Sequence, residues 1–225
     1  MTFSIVGRCG RTGMFGVAIT TSSICVGARC PHVRAGVGAV ATQNITDPTL
    51  GPRTLDELAK GHDADDALAR AIAGKSHLEY RQIIVVDSAG TTASYTGGRI
   101  LGTHAVATGE HCVAAGNLLA SVEVPAAMVD AFAANADLHL AERLLRALEA
   151  GISAGGEKGP VHSSALLVAD RQPFALVDLR CDWDDADPVA TLRRLWTDYE
   201  PQMQAYLIRA LDPPSAPSYG VPGDQ

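Results

Sequence analysis

The chain has 225 residues, of which 47% are hydrophobic and 19% charged, with a formal net charge of −7 and a pI near 5.4. That length favours one large domain over two small ones. The acidic balance, without any run of Lys or Arg, argues against nucleic acid as a partner, and no apolar run approaches the ~20 residues of a membrane helix. The start of the chain lacks the basic region and separate apolar stretch of a signal peptide. Five cysteines (Cys9, Cys25, Cys30, Cys112 and Cys181), odd in number and without CxxC spacing, indicate free thiols and a cytoplasmic protein.

Residues 3–7 read as a short strand, followed by the glycine-rich turn Cys9-Gly10-Arg11-Thr12-Gly13 and a returning strand over 15–21. A third strand is expected over 37–42. Gly51-Pro52-Arg53-Thr54 reads as a turn, with Thr54 as N-cap of a helix carrying Leu55, Leu58 and Ala59. A second helix over 63–73 places Ala64, Ala67, Leu68, Ala71 and Ile72 on one face. Asp63, Asp65 and Asp66 stand at its positive end. A hairpin joins 82–87 to 91–96, and shorter strands follow over 106–108 and 112–115. Two Ala- and Leu-rich helices are expected over 123–134 and 138–150, the second ending at Gly151. The loop Ala154-Gly155-Gly156-Glu157-Lys158-Gly159-Pro160 leads to strands over 164–169 and 174–179. A closing helix over 187–206 should break or kink around Pro201. From residue 212 a tail with Pro213, Pro214, Pro217 and Pro222 reads as disordered, so the expected domain covers 1–211. Interleaved strand and helix pairs give an α+β fold, two stacked, mainly antiparallel sheets flanked by helices.

The position with the most chemistry is the second. Methionine aminopeptidase removes Met1 when a small residue such as Thr2 follows. Thr2 would then carry a free α-amine, titrating near ~7.7–8.0, beside its own hydroxyl. Such an amine can take the hydroxyl proton and turn the side chain into a nucleophile. Asn117, after a strand and beside Gly116, is the candidate donor to an oxyanion, its alternative being to stabilise a turn. Glu157 and Lys158 could line a substrate, although Lys158 alone reads better as a surface residue. Ser163 or Ser164 could hold the Thr2 amine or only cap backbone groups, and alternate members of Thr20-Thr21-Ser22-Ser23 could face it or hydrogen-bond locally. Arg34 could grip a substrate carboxylate or form a surface ion pair. Cys25 is a rival nucleophile without an assignable His partner. His32, His104, His111 and His162 lack metal-binding spacing, so neither a metal nor a cofactor is expected.

The ordered segments Met1-Thr2-Phe3-Ser4-Ile5-Val6, residues 34–43, Gly51-Pro52-Arg53, Tyr80-Arg81-Gln82, Tyr95-Thr96-Gly97, Ala115-Gly116-Asn117-Leu118-Leu119, residues 141–145 and residues 163–168 resemble a family catalogued as domain of unknown function 1028. That family is grouped with the N-terminal-nucleophile (Ntn) hydrolases. The resemblance spans about residues 2–180. It implies the four-layer αββα sandwich of proteasome subunits and aspartylglucosaminidase, with Thr2 as nucleophile. One loop departs from the family pattern, since His162 stands where a glutamine is usual, and the proteasome's aspartate and lysine partners have no match. The expected function is an amidohydrolase cleaving a small amide or peptide-like bond through an acyl-enzyme on Thr2. The alternative is an Ntn-shaped binding or scaffold protein with a vestigial Thr2. Ala-rich outer helices suggest a homodimer.

Overall fold

A computed structural model describes residues 2–221. Six antiparallel strands form one sheet: β10 (Val177–Cys181), β9 (Ser163–Ala169), β2 (Phe15–Thr21), β1 (Thr2–Arg8), β8 (Cys112–Asn117) and β7 (Ala105–Gly109), in that spatial order. Four more form a second sheet, β3 (Pro31–Arg34), β4 (Gly38–Asn44), β5 (Arg81–Asp87) and β6 (Thr92–Thr96). The sheets stack face to face, β1 and β2 lying over β4 and β5. Helices α1 (Leu50–Ala59) and α2 (Ala64–Ile72) cover the smaller sheet. Helices α3 (Val124–Ala134), α4 (Leu140–Ser153) and α5 (Pro188–Leu211) cover the larger. The result is an α+β, four-layer αββα sandwich.

Strand alternation assigns each residue to a layer. Phe3 and Ile5 of β1 point outward to Met128, Phe132, Leu144 and Leu148 of the helices, all fully buried. Val6 points inward and meets Val17, Ala39, Ala41, Ile84, Val86 and Val113 between the sheets. Because β1 is buried on both faces, it reads as a near-continuous apolar run. Burying one Leu, Ile or Phe contributes about 1.5–3 kcal/mol. Gly7 and Gly16 bring the helices close: a Cβ at Gly7 would sit 2.7 Å from Phe132, and one at Gly16 2.5 Å from Leu144.

Several boundaries differ from expectation. Helix α1 begins at Leu50, so Gly51-Pro52-Arg53-Thr54 is its first turn and not a separate loop. Proline is tolerated there because its missing N–H would have had no intrahelical partner. Thr54 is consequently no cap; its hydroxyl donates back to Leu50 O at 2.8 Å. Helix α4 runs through Gly151, where the absent side chain makes room for Phe3 and Met128. Helix α5 continues past Pro201 to Leu211, with Pro201 on an exposed face where water can serve the freed carbonyl. The final strand starts at Val177, not at 174. Strand β3 was not anticipated: it is four residues long, starts with proline and lies at a sheet edge, where a missing donor does least harm. The Pro-rich segment carries a 3-10 turn at Pro213–Ser215, and Arg209 lies 3.6 Å from the Tyr219 ring centroid. Pro222 lies outside the described residues.

Asp63 caps α2 as its position suggests, accepting from Asp66 N at 2.9 Å. Asp63→Ala is expected to lower stability by about 1 kcal/mol, measured by urea denaturation, with the native circular dichroism spectrum retained.

Candidate active site

One end of the inter-sheet layer is apolar and the other polar. Alternation along β1 puts Thr2 and Ser4 on the same inward face as Val6. The ladder aligns Thr2 with Thr21 on one side and with Asn117 on the other, and Thr21 in turn with Ser163. Thr2, Thr21, Asn117 and Ser163 thus form a row across four central strands. Thr2 is 5% exposed and Asn117 fully buried. Opposite them the smaller sheet contributes Gln43 and Gln82, which pair across β4 and β5.

These side chains are joined by hydrogen bonds. Ser4 Oγ donates to Gln43 Oε1 at 2.6 Å, and Gln43 Nε2 donates to Gln82 Oε1 at 2.8 Å. Asn117 Nδ2 reaches the same Gln82 oxygen at 3.5 Å, while Gln82 Nε2 donates to Gly116 O at 3.4 Å. Thr2 Oγ1 and Thr21 Oγ1 lie 3.0 Å apart, either able to donate. Gln82 therefore orients Asn117 from behind. The Asn117 amide keeps a second N–H, and its Oδ1 has no hydrogen-bond partner among the described residues. Leu118, with φ of 52°, turns the chain out of β8 immediately after Asn117.

Glu157 lies beside this row. It forms an isolated antiparallel bridge with Leu119 and is 8% exposed. Neither carboxylate oxygen has a hydrogen-bond partner among the described residues. Burial pushes its carboxyl up to about 8, because a desolvated carboxylate is costly.

The remaining expected residues are spread more widely. Gly116 sits in the ladder opposite Phe3, and a Cβ there would strike Leu119 at 2.5 Å. Lys158 is exposed, anchored by its backbone N–H to Leu118 O. His162 donates its backbone N–H to Thr21 O, and its ring stacks on Trp183 with centroids 4.4 Å apart. Ser163 does belong to the row, but its hydroxyl is committed to the loop after β2. It donates to Ser23 O at 2.6 Å and accepts from Val26 N at 3.1 Å. Arg34 is not brought to this end. It pairs with Gly38 at the far end of β4 and binds Asp56 at 2.8 Å, beside a separate cleft of about 460 Å³. Cys25, half-buried with φ of 55°, heads the 3-10 turn that Ser163 anchors.

Sequence reasoning did not single out Ser4, Gln43 and Gln82. A signal existed in the pattern: each is a polar residue at a position where strand alternation calls for an inward apolar one. Without the register, nothing showed that all three meet the Thr2 row.

The structure is thus an αββα sandwich with a buried threonine at the start of a central strand. The chain belongs to a family of unknown function, DUF1028, whose sequence model matches residues 2–192. It is similar to the crystal structure of protein SPO2555 from Silicibacter pomeroyi, a structure matched by the same family model. The two are 32% identical, with a TM-score of 0.82 over 88% of this chain and 85% of that one. Anbu (ancestral beta-subunit) from Yersinia bercovieri aligns over 91% of this chain and 97% of its own. At 9% identity and a TM-score of 0.40, that likeness is too remote to bear on fold or function. No curated protein matches.

Proposed function

We propose that this protein is an N-terminal-nucleophile amidohydrolase that cleaves a small amide or peptide-like bond. The observation that carries the reading is the placement of Thr2: nearly buried at the head of a central strand, hydrogen-bonded to Thr21 and flanked by Asn117. Cleavage of the Met1–Thr2 bond frees the α-amine. Neutral, that amine takes the proton of Thr2 Oγ as the oxygen attacks the substrate carbonyl. Asn117 Nδ2 and neighbouring backbone N–H groups stabilise the oxyanion. The proton passes to the leaving nitrogen as the C–N bond breaks, leaving an ester on Thr2. Water, deprotonated by the same amine, hydrolyses it. Chemistry of this kind uses no cofactor and no metal.

A cytoplasmic location suits the five free cysteines, and among the described residues no helix is long and apolar enough to cross a membrane. A homodimer paired through its outer helices is the assembly we propose.

The decisive experiment has two readouts. Intact-mass spectrometry should find protein lacking Met1. An amide library and a threonine-directed electrophile such as a β-lactone should then give turnover and a covalent adduct, both absent in Thr2→Ala. Retained Met1, or turnover that survives Thr2→Ala, would overturn the proposal. If iodoacetamide abolishes the surviving turnover and Cys25→Ala does the same, Cys25 becomes the nucleophile. Asn117→Ala should lower kcat by ~10²–10³ with a smaller change in KM, read by steady-state kinetics on any substrate found.

A further inference from the structure

The loop carrying Glu157 is held in place more firmly than a surface turn requires. Gly155 and Gly156 adopt φ of +114° and +57°, conformations open to glycine, and swing the chain from the end of α4 back over β8. There Ala120 N donates to Gly156 O and Lys158 N to Leu118 O, both at 3.0 Å, with the Leu119–Glu157 bridge between them. The loop is therefore tied to the residues that directly follow Asn117. On its other side the backbone of Ser22, the residue after Thr21, approaches the carboxylate without reaching hydrogen-bond geometry.

Asn117 and Thr21 are the two ladder partners of Thr2. A loop tied to the residues after Asn117, with its carboxylate approached by the residue after Thr21, brings Glu157 close to the N-terminal end of β1. It is buried with both oxygens unpartnered among the described residues, which is an expensive arrangement unless a cation or proton donor arrives. We infer that Glu157 is the partner of the Thr2 α-amine, holding that nitrogen beside Oγ and exchanging a proton with it. The inference rests on the nucleophile reading for its catalytic consequence, but the pairing itself is a property of the processed chain.

The exchange balances simply. The ammonium gives one proton to the carboxylate, leaving a neutral amine and a carboxylic acid, and the amine is then free to accept the Oγ proton. The raised Glu157 carboxyl, about 8, is close to the ~7.7–8.0 of an α-amine, so neither group monopolises the proton. Glu157 acts here as a positioning residue.

The test is a titration. Protein beginning at Thr2 is labelled with ¹³C-threonine, and the Thr2 Cα resonance is followed against pH in wild type, Glu157→Gln and Glu157→Asp. Wild type should show two coupled steps, the upper lying at least about one pH unit above the single step of Glu157→Gln. Glu157→Asp, which keeps the charge on a shorter arm, should fall between them. A single step at the same pH in all three, or a single unperturbed step in wild type alone should the Gln variant not fold, overturns the pairing. If that happens while turnover still depends on Thr2, the nucleophile reading stands and Glu157 loses its role. If the coupled steps appear but turnover survives Thr2→Ala, the pairing stands and the nucleophile reading falls.

Discussion

Thr2→Ala is expected to abolish amide hydrolysis, lowering kcat by ~10³-fold or more, while costing the fold little. The reasons are geometric. The side chain lies on the inward face of β1, and what the substitution deletes is one hydroxyl, bonded at 3.0 Å to Thr21 Oγ1, and one methyl. Ala at residue 2 keeps the strand ladder to Thr21 and Asn117, so unfolding free energy should fall by only about 1 kcal/mol. Loss of turnover and of the covalent adduct, without loss of the unfolding transition, is the signature of a nucleophile. Thr2→Ser keeps the hydroxyl and the amine, and should retain part of the turnover. Were Thr2→Ser as inactive as Thr2→Ala, the side chain would matter for packing and not for chemistry.

Glu157→Gln should make the protein more stable than wild type at pH 8 and change it little near pH 4. Burial raises this carboxyl to about 8 in the folded chain, against about 4.3 when unfolded. Between those values the folded state binds more protons than the unfolded one, so stability falls as pH rises. The stabilisation from the protonated form is complete below ~4.3 and lost as pH climbs through the folded value. Glutamine has no proton to lose. The gap between variant and wild type therefore widens with pH, by up to about 1.4 kcal/mol per unit, a few kcal/mol in all. An ammonium on Thr2 opposite the carboxylate offsets part of this, leaving a smaller gain of the same sign. Urea denaturation at pH 5 and pH 8 measures it, and parallel pH curves for the two proteins would refute the assignment.

Much of the architecture is legible in the residues themselves. β-Branched runs beside glycine-bearing turns (Gly13 before β2, Gly90 after β5) mark these strands, and Asp63 with Leu68 and Ala71 marks α2, because these signals act over a few neighbouring positions. Local signals also misled. Gly51-Pro52 looked like a turn but opens a helix, and Gly151 looked like a helix end but admits Phe3. In the first case proline is locally compatible with an opening helical turn; in the second, packing against Phe3 and Met128 decided the outcome.

For the site, the sequence alone determined the chemical types: a threonine behind methionine, an asparagine after a strand and a carboxylate in a glycine-rich loop. Only the tertiary structure decided that these belong together and that Arg34 does not. It also added Ser4, Gln43 and Gln82: the Ser4–Gln43 and Asn117–Gln82 hydrogen bonds, at 2.6 and 3.5 Å, run between the sheets, and the Gln43–Gln82 bond at 2.8 Å joins β4 to β5. The physical reason is that strand register and sheet stacking are long-range choices. Alternation tells which face a residue takes, but pairing Thr2 with Asn117 spans more than a hundred residues of chain and depends on how the whole sandwich buries its apolar faces.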